Sequence, residues 1–154
     1  MWGTPKTSGL AMRPAREADR EWLRRLHKAS YQPFYQRVHK RWDDAHEGHR
    51  FDDRLASADE VLVISELGRD VGAVCLSEQD GQILIDTLEV RPDCQNRGIG
   101  ATTIQWATVR AHQQGKTVTL QLHKLNKDAK RMYERSGFTV IGETETDWTM
   151  QRLS

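Results

Sequence analysis

The chain has 154 residues, of which 37% are hydrophobic and 29% are charged, a balance typical of a folded globular protein. Its 23 Lys and Arg residues nearly balance its 22 Asp and Glu residues, so charge gives no argument for nucleic acid or a membrane surface as a partner. No apolar stretch is long enough to span a bilayer. Cys75 and Cys94 form neither a metal-binding spacing nor a disulfide framework, which favours the reducing cytoplasm.

The first half of the chain is predicted to begin with a loose end and then to alternate between one strand and helical segments. Residues 1–9 lack an apolar core and are expected to be a flexible tail, followed by a single domain over residues 10–154. A short strand is predicted over 10–13, and apolar residues spaced three to four apart predict a helix over 15–30. Residues 31–55 are expected to hold a second short helix and then an irregular loop that ends in a helical turn.

The second half of the chain alternates strand and helix patterns that are separated by Gly-containing turns. The order predicts an α/β (α+β) protein with a mixed central sheet of about six to seven strands and flanking helices. The predicted elements are strands 61–67, 71–77 and 82–90, helix 99–114, strand 116–122, helix 128–136, and strands 138–141 and 147–152.

A strand, a loop with two glycines and a helix follow one another in residues 88–101. The first N–H groups of a helix have no intrahelical acceptor, and they can bind a phosphate that approaches the end of the helix. Gly98 and Gly100 would leave room for that approach, and Arg97 would add a positive charge. The glycines alone are equally compatible with a tight turn that binds nothing. The segment matches neither the GxxxxGK[ST] phosphate loop nor the GxGxxG dinucleotide fingerprint.

Two blocks of the sequence resemble the GNAT family of acyltransferases. Residues 95–101, Gln-Asn-Arg-Gly-Ile-Gly-Ala, are similar to the family signature Q/R-x-x-G-x-G/A, and the preceding 88–92 is similar to its hydrophobic-x-Val-x-Pro strand end. Residues 126–138 are similar to N-x-x-A-x-x-x-Y-x-x-x-G-F. The resemblance covers about residues 10–152, although Asn96 stands where many members carry Gly or Arg. It implies the GNAT fold, in which the fourth and fifth strands splay apart.

The resemblance also implies a cosubstrate, acetyl-CoA, and no metal. In the family the glycine loop cradles the pyrophosphate, and the backbone of the fourth strand pairs with the pantetheine arm like an added strand. The residues expected to bind the coenzyme are Leu88, Val90, Gln95, Asn96, Arg97, Gly98, Ile99, Gly100, Ala101, Asn126 and Tyr133.

Three residues are candidates for proton transfer. Tyr133 resembles the family's general acid beside the sulfur; the alternative is a packed aromatic side chain of its helix. Glu89 and Asp86 are candidates for the base that deprotonates the amine, and strand alternation places them on opposite faces, so that only one faces the cleft. For each carboxylate the alternative is an ordinary solvated side chain, since many members of the family deprotonate the amine through ordered water.

The resemblance implies that the first two helices and the last strand pair form the acceptor side, where the candidate residues are the aromatic Trp22, Tyr31, Tyr35 and Trp42. The expected activity is transfer of an acetyl group to a primary amine of a small molecule or peptide, by direct attack in a ternary complex. A protein acetyltransferase acting on lysine or N-terminal amines and a non-catalytic acyl-CoA sensor are the alternatives. The sequence fits a monomer or a homodimer.

Overall fold

A computed structural model describes residues 9–152, so the predicted flexible tail lies outside the described residues except for Gly9. No helix in the described range is long and apolar enough to cross a membrane. The elements within it are strands β1 (Leu10–Pro14), β2 (Glu60–Glu66), β3 (Arg69–Gln79), β4 (Gln82–Val90), β5 (Thr117–His123), β6 (Thr139–Glu143) and β7 (Asp147–Arg152), and helices α1 (Arg20–Arg37), α2 (Asp44–Ser57), α3 (Ile99–Gln113) and α4 (Lys127–Arg135).

The seven strands form one sheet in the order β1-β2-β3-β4-β5-β7-β6. All neighbouring strands are antiparallel except β4 and β5, which are parallel and are joined by α3. The predicted mixed sheet with flanking helices is therefore confirmed. The central strands are buried on both faces, which explains why their sequences read as nearly continuous apolar runs.

Each face of the sheet has its own hydrophobic core. The larger core lies under α3 and α4 and includes Ile85, Ile104 and Phe138. The smaller core lies under α1 and α2. It consists of Leu23, Leu26, Phe51, Val63 and Ala73.

The first helix is longer than predicted. Instead of ending near Ser30, α1 continues through Pro33 to Arg37, so the short second helix predicted at the start of residues 31–55 is not a separate element. Pro33 removes one backbone hydrogen bond from the helix, a cost that is offset by packing of the segment around it. Phe34 packs edge-on against His123 at the end of β5, with ring centroids 5.3 Å apart. The last turn of α1 is thereby held over the end of the sheet.

The irregular loop expected within residues 31–55 is wrong for residues 44–55, which form the 14-residue helix α2 together with the two residues that follow. The helical turn predicted at the end of this range lies inside α2. Its start is marked by Asp43, whose Oδ1 accepts a hydrogen bond from His46 N–H at 2.9 Å. Glu47 and Phe51 are the buried residues of the helix and lie four positions apart. An Asp cap followed by this spacing is a helix signal that was present in the sequence.

A bulge divides β4 into two parts. Ile85 and Thr87 pair with two adjacent residues of β3, so Asp86 is an extra residue without a partner in that strand. The alternation of side chains slips by one position there. Ile85 packs in the core beside α3 and α4, whereas Glu89 faces α1 on the opposite side of the sheet.

β4 and β5 separate just before this bulge. They pair from Gln82 and Thr117 as far as Ile85 and Leu120, and within the described residues β4 continues to Val90 without pairing with β5. The predicted splay is thus present. It leaves the β5-facing edge of the second half of β4 open for another extended chain.

Gly72 on β3 allows β4 to approach at the point where Glu89 is placed. A Cβ atom at residue 72 would lie 2.5 Å from the backbone oxygen of Glu89. We expect Gly72→Ala to lower the free energy of unfolding by roughly 1–3 kcal/mol, because neither backbone can yield without breaking the ladder. Gly142→Ala on β6 is the control, since a Cβ there meets nothing within 4 Å. Equal urea denaturation curves for the two variants would contradict this account.

Candidate active site

The glycine loop ends in an open helix N-terminus. Gly98 has φ +84° and precedes the first residue of α3, and a Cβ atom on it would meet nothing within 4 Å. Thr102 N–H donates the first bond of the helix, to Gly98 O at 3.0 Å. The N–H groups of Ile99, Gly100 and Ala101 precede that bond and have no intrahelical acceptor, so the partial positive end of α3 is directed to open space.

Other residues of the loop fix its shape. Gln95 Nε2 donates to Val90 O at 3.0 Å and ties the loop to the end of β4. Asn96 has φ +63°, a conformation that a small polar side chain tolerates. Arg97 makes an ion pair with Glu66 at 2.8 Å, and half of its side chain is exposed. The backbone of the loop is thus held in place, and the Arg97 charge lies next to the helix N-terminus.

Gly100 has a packing role that differs from the one inferred from the sequence. A Cβ atom at this position would lie 3.2 Å from Met132 Sδ, so the absence of a side chain lets α4 approach α3. The open approach to the loop is therefore at Gly98. The Gly100 N–H still belongs to the free first turn of α3.

Tyr133 lies on α4 and is 8% exposed. Its ring packs edge-on against Phe138 at 5.6 Å, and burial raises the pKa of its phenol to about 12. Such a phenol stays protonated throughout the neutral range, as a general acid requires. Asn126 caps α4, with Oδ1 accepting from Ala129 N–H at 3.4 Å. A contact of Asn126 with the coenzyme remains a prediction.

Glu89 is buried and forms a pair with a histidine of α1. His27 Nδ1 lies 3.2 Å from both carboxylate oxygens of Glu89, and the two residues are 7% and 5% exposed. The ring of Phe51 stacks on His27 at 4.6 Å, and Tyr31 lies 4.7 Å away. Burial raises the pKa of Tyr31, and the charge of Glu89 raises it further.

Asp86 is exposed and accepts a hydrogen bond from Ser77 Oγ. The bulge at this residue interrupts the alternation from which opposite faces were predicted for Asp86 and Glu89, so that prediction no longer follows. Of the two carboxylates, only Glu89 is buried beside the splay.

Three of the four predicted acceptor residues lie together. Trp42 stacks edge-on with Tyr35 at 5.1 Å and lies 5.8 Å from His27, which also contacts Tyr31. Trp22 lies apart from them, at a shallow cavity beside Arg91. Tyr31 and Trp42 thus pack against His27, and Tyr35 joins them through Trp42, whereas Trp22 does not.

A cavity of about 240 Å³ separates α1 from α2. Its floor holds His27 and Phe51, and its wall holds Trp42 and Glu47. Glu47 is only 6% exposed and accepts a hydrogen bond from Tyr35 Oη at 3.1 Å. The cavity thus offers a carboxylate and an indole ring to an amine, next to the cationic side chains of Arg24, Arg25 and Lys28.

His27, Glu47 and Phe51 were not among the predicted site residues. His27 directly follows Leu26 on the buried stripe of α1, which is an unusual place for an ionisable residue. Glu47 lay in the segment mistaken for a loop. The described residues contain no group of three His, Cys, Asp or Glu side chains that could hold a metal ion.

The comparisons with known proteins identify the family. Residues 20–138 match the family model described as the acetyltransferase (GNAT) family, which is more than half of the chain. The chain belongs to this family. It is therefore an acetyl-CoA-dependent N-acetyltransferase, and its open α3 N-terminus and splayed strands suit the coenzyme's phosphates and extended arm. A search of curated proteins finds no match to the sequence.

Solved structures of other acetyltransferases share the fold at low sequence identity. The PaiA N-acetyltransferase of Thermoplasma acidophilum in complex with coenzyme A has a TM-score of 0.80 at 16% identity, covering 94% of this chain and 99% of its own. A spermidine N-acetyltransferase SpeG chimera from Vibrio cholerae and hSSAT gives 0.72 at 18%, covering 95% and 96%. The ribosomal-protein-S18-alanine N-acetyltransferase of Escherichia coli gives 0.72 at 14%, covering 93% and 92%. Their substrates differ, so fold similarity does not choose the acceptor.

Proposed function

We propose that this GNAT protein acetylates a primary amine of a small molecule or of one peptide residue, by direct attack within a ternary complex. The observation that carries the proposal is the arrangement around the splay. The buried Glu89–His27 pair is on the α1 side, and the buried phenol of Tyr133 is on the α4 side. Acetyl transfer from a thioester to an amine requires a proton acceptor for the amine and a proton donor for the departing sulfur.

The residues of the chain then have distinct roles. The N–H groups at the start of α3, with Asn96 and Arg97, hold the pyrophosphate, and the free edge of β4 at Leu88 and Val90 aligns the pantetheine arm. Tyr133 Oη gives a proton to the departing sulfur. Glu89 is the carboxylate of the proton-accepting side, since Asp86 is exposed and bonded to Ser77.

The small cavity supports a small acceptor. Its volume of about 240 Å³ is below the roughly 300–1,000 Å³ of typical sites for drug-sized ligands. Such a cavity holds an alkylamine or one side chain rather than a folded protein surface. The spermidine and ribosomal-protein-S18-alanine N-acetyltransferases named above illustrate that this fold serves both kinds of acceptor, so the choice needs a direct measurement.

The deciding experiment is release of free CoA from acetyl-CoA with a panel of amines: spermidine, tyramine, a lysine-containing peptide and a peptide with an N-terminal alanine. We expect one of the small amines to be acetylated, with the product identified by mass. Acetylation of none of these four amines, but of an intact protein added to the same assay, would favour a protein acetyltransferase. Coenzyme binding without release for every amine would favour an acyl-CoA sensor.

The domain organisation, the compartment and the oligomeric state of the enzyme are further parts of the proposal. We propose that residues 10–154 form a single catalytic domain that acts in the cytoplasm as a monomer or homodimer. Cys75 and Cys94 are both buried free thiols, which supports a reducing compartment. Sedimentation equilibrium would decide between one and two copies.

A further inference from the structure

His27 is a buried ionisable residue between the α1–α2 cavity and the part of β4 that has separated from β5. Its Nδ1 edge faces Glu89 on β4, which lies in the part of the strand that has left β5. The ring also lines the cavity between α1 and α2. The side chain thus reaches both the place where the acceptor would enter and the strand along which the thioester would lie.

The two ring nitrogens of His27 have different surroundings. Nδ1 is within hydrogen-bond distance of both Glu89 oxygens. An ionised carboxylate only accepts hydrogen bonds, so next to ionised Glu89 the proton of the neutral ring is on Nδ1. Nε2 makes no hydrogen bond with residues 9–152 and carries the lone pair. In other enzymes, an imidazole whose second nitrogen is hydrogen-bonded to a carboxylate acts as the base that activates an amine or a hydroxyl.

We propose that His27 Nε2 is the general base for the acceptor amine, and that Glu89 acts through His27 as a positioning residue. This inference rests on the proposed function. His27 takes one proton from the bound ammonium, and the free amine attacks the acetyl carbon. The N–C bond forms and the C–S bond breaks, Tyr133 protonates the sulfur, and the second amine proton returns to Tyr133. The proton on His27 then leaves to solvent.

Charged groups from three elements surround this base. Glu89 on β4 and Glu47 on α2 are both buried. Arg24, Arg25 and Lys28 on α1 line the same cavity, and each has an acidic partner nearby. The full set that faces the ring or its cavity is Arg24, Arg25, Lys28, Tyr31, Asp44, Glu47 and Glu89.

The test is His27→Asn, assayed with the best small amine of the panel at pH 7 and pH 9.5. The Asn amide keeps an N–H near the Nδ1 position for Glu89 but has no group at Nε2. We expect kcat/KM to fall about 100-fold or more at pH 7. At pH 9.5 the loss should shrink to less than about tenfold, because more of the amine is already unprotonated.

The matched control is His112→Asn on the exposed side of α3, which should retain wild-type rates at both pH values. A loss in His27→Asn that is the same at both pH values would show that His27 only supports the fold, and no loss would also overturn the proposal. If the wild-type protein acetylates no amine, the proposed function fails instead, which is a separate result.

A second variant keeps the proposal testable if His27→Asn does not fold. Glu89→Gln keeps an acceptor for the His27 Nδ1–H but removes the negative charge. Because the imidazolium would lose its anionic partner, the acidic limb of the kcat/KM profile should move to lower pH. An unmoved limb would overturn the role of the pair as the base.

Discussion

Tyr133→Phe is expected to lower kcat by about 10²- to 10⁴-fold while leaving the dissociation constant for CoA within about twofold. The ring remains packed against Phe138, so the fold is preserved, but the sulfur no longer receives a proton from a nearby phenol. Since burial raises the pKa of Tyr133 to about 12, we expect the phenol of the wild-type protein to stay protonated below about pH 11.

The measurements are steady-state release of CoA and calorimetric titration with CoA. A variant that turns over at the wild-type rate would show that Tyr133 is a packed aromatic residue and that water protonates the thiolate. A variant that loses CoA affinity as strongly as turnover would assign the hydroxyl to binding instead of chemistry.

Gly98→Val is expected to weaken CoA binding at least about tenfold, which corresponds to about 1.4 kcal/mol. Gly98 stands with φ +84° at the open end of α3, and its missing side chain leaves the space from which a pyrophosphate reaches the helix N–H groups. A branched side chain would fill that space. It would also add backbone strain of roughly 1–3 kcal/mol.

Gly115→Val is the matched control for that strain. Gly115 lies just beyond the other end of α3, has φ +69°, and likewise meets nothing within 4 Å of a built Cβ. Both variants should lose similar thermal stability, but only Gly98→Val should lose CoA affinity. If the two variants bound CoA equally well, the loop would not be the pyrophosphate site.

Local patterns predicted the secondary structure on which the candidate site residues lie. The helix after the glycine loop and the helix that carries Tyr133 are such elements, because hydrogen bonding, chirality and capping act within a few residues. The roles of the loop and of Tyr133 were implied by the family resemblance and stay predictions. The strands of the sheet were predicted for the same reason, from alternation and turn signals. The splay followed from the family resemblance and is confirmed by the pairing of β4 with β5.

The remaining features depend on contacts between distant segments. α1 crosses Pro33 because packing of residues such as Phe34 outweighs the local preference to stop. The Glu89–His27 pair joins residues 62 positions apart, and no local pattern reports such a contact. Alternation could not assign the faces of Asp86 and Glu89, because it assumes an unbroken ladder, whereas the bulge shifts the register by one residue.

The extra residue in β4 affects two separate properties, the side on which Glu89 lies and the end of the β4–β5 pairing. Without it, Glu89 would share the side of Ile85 and point into the core under α3, away from His27. It also lies next to the position at which β4 leaves β5. The number of residues between Ile85 and Glu89 is therefore more constrained than the side chain at position 86, so natural relatives can vary that side chain freely but should tolerate neither its deletion nor a neighbouring insertion.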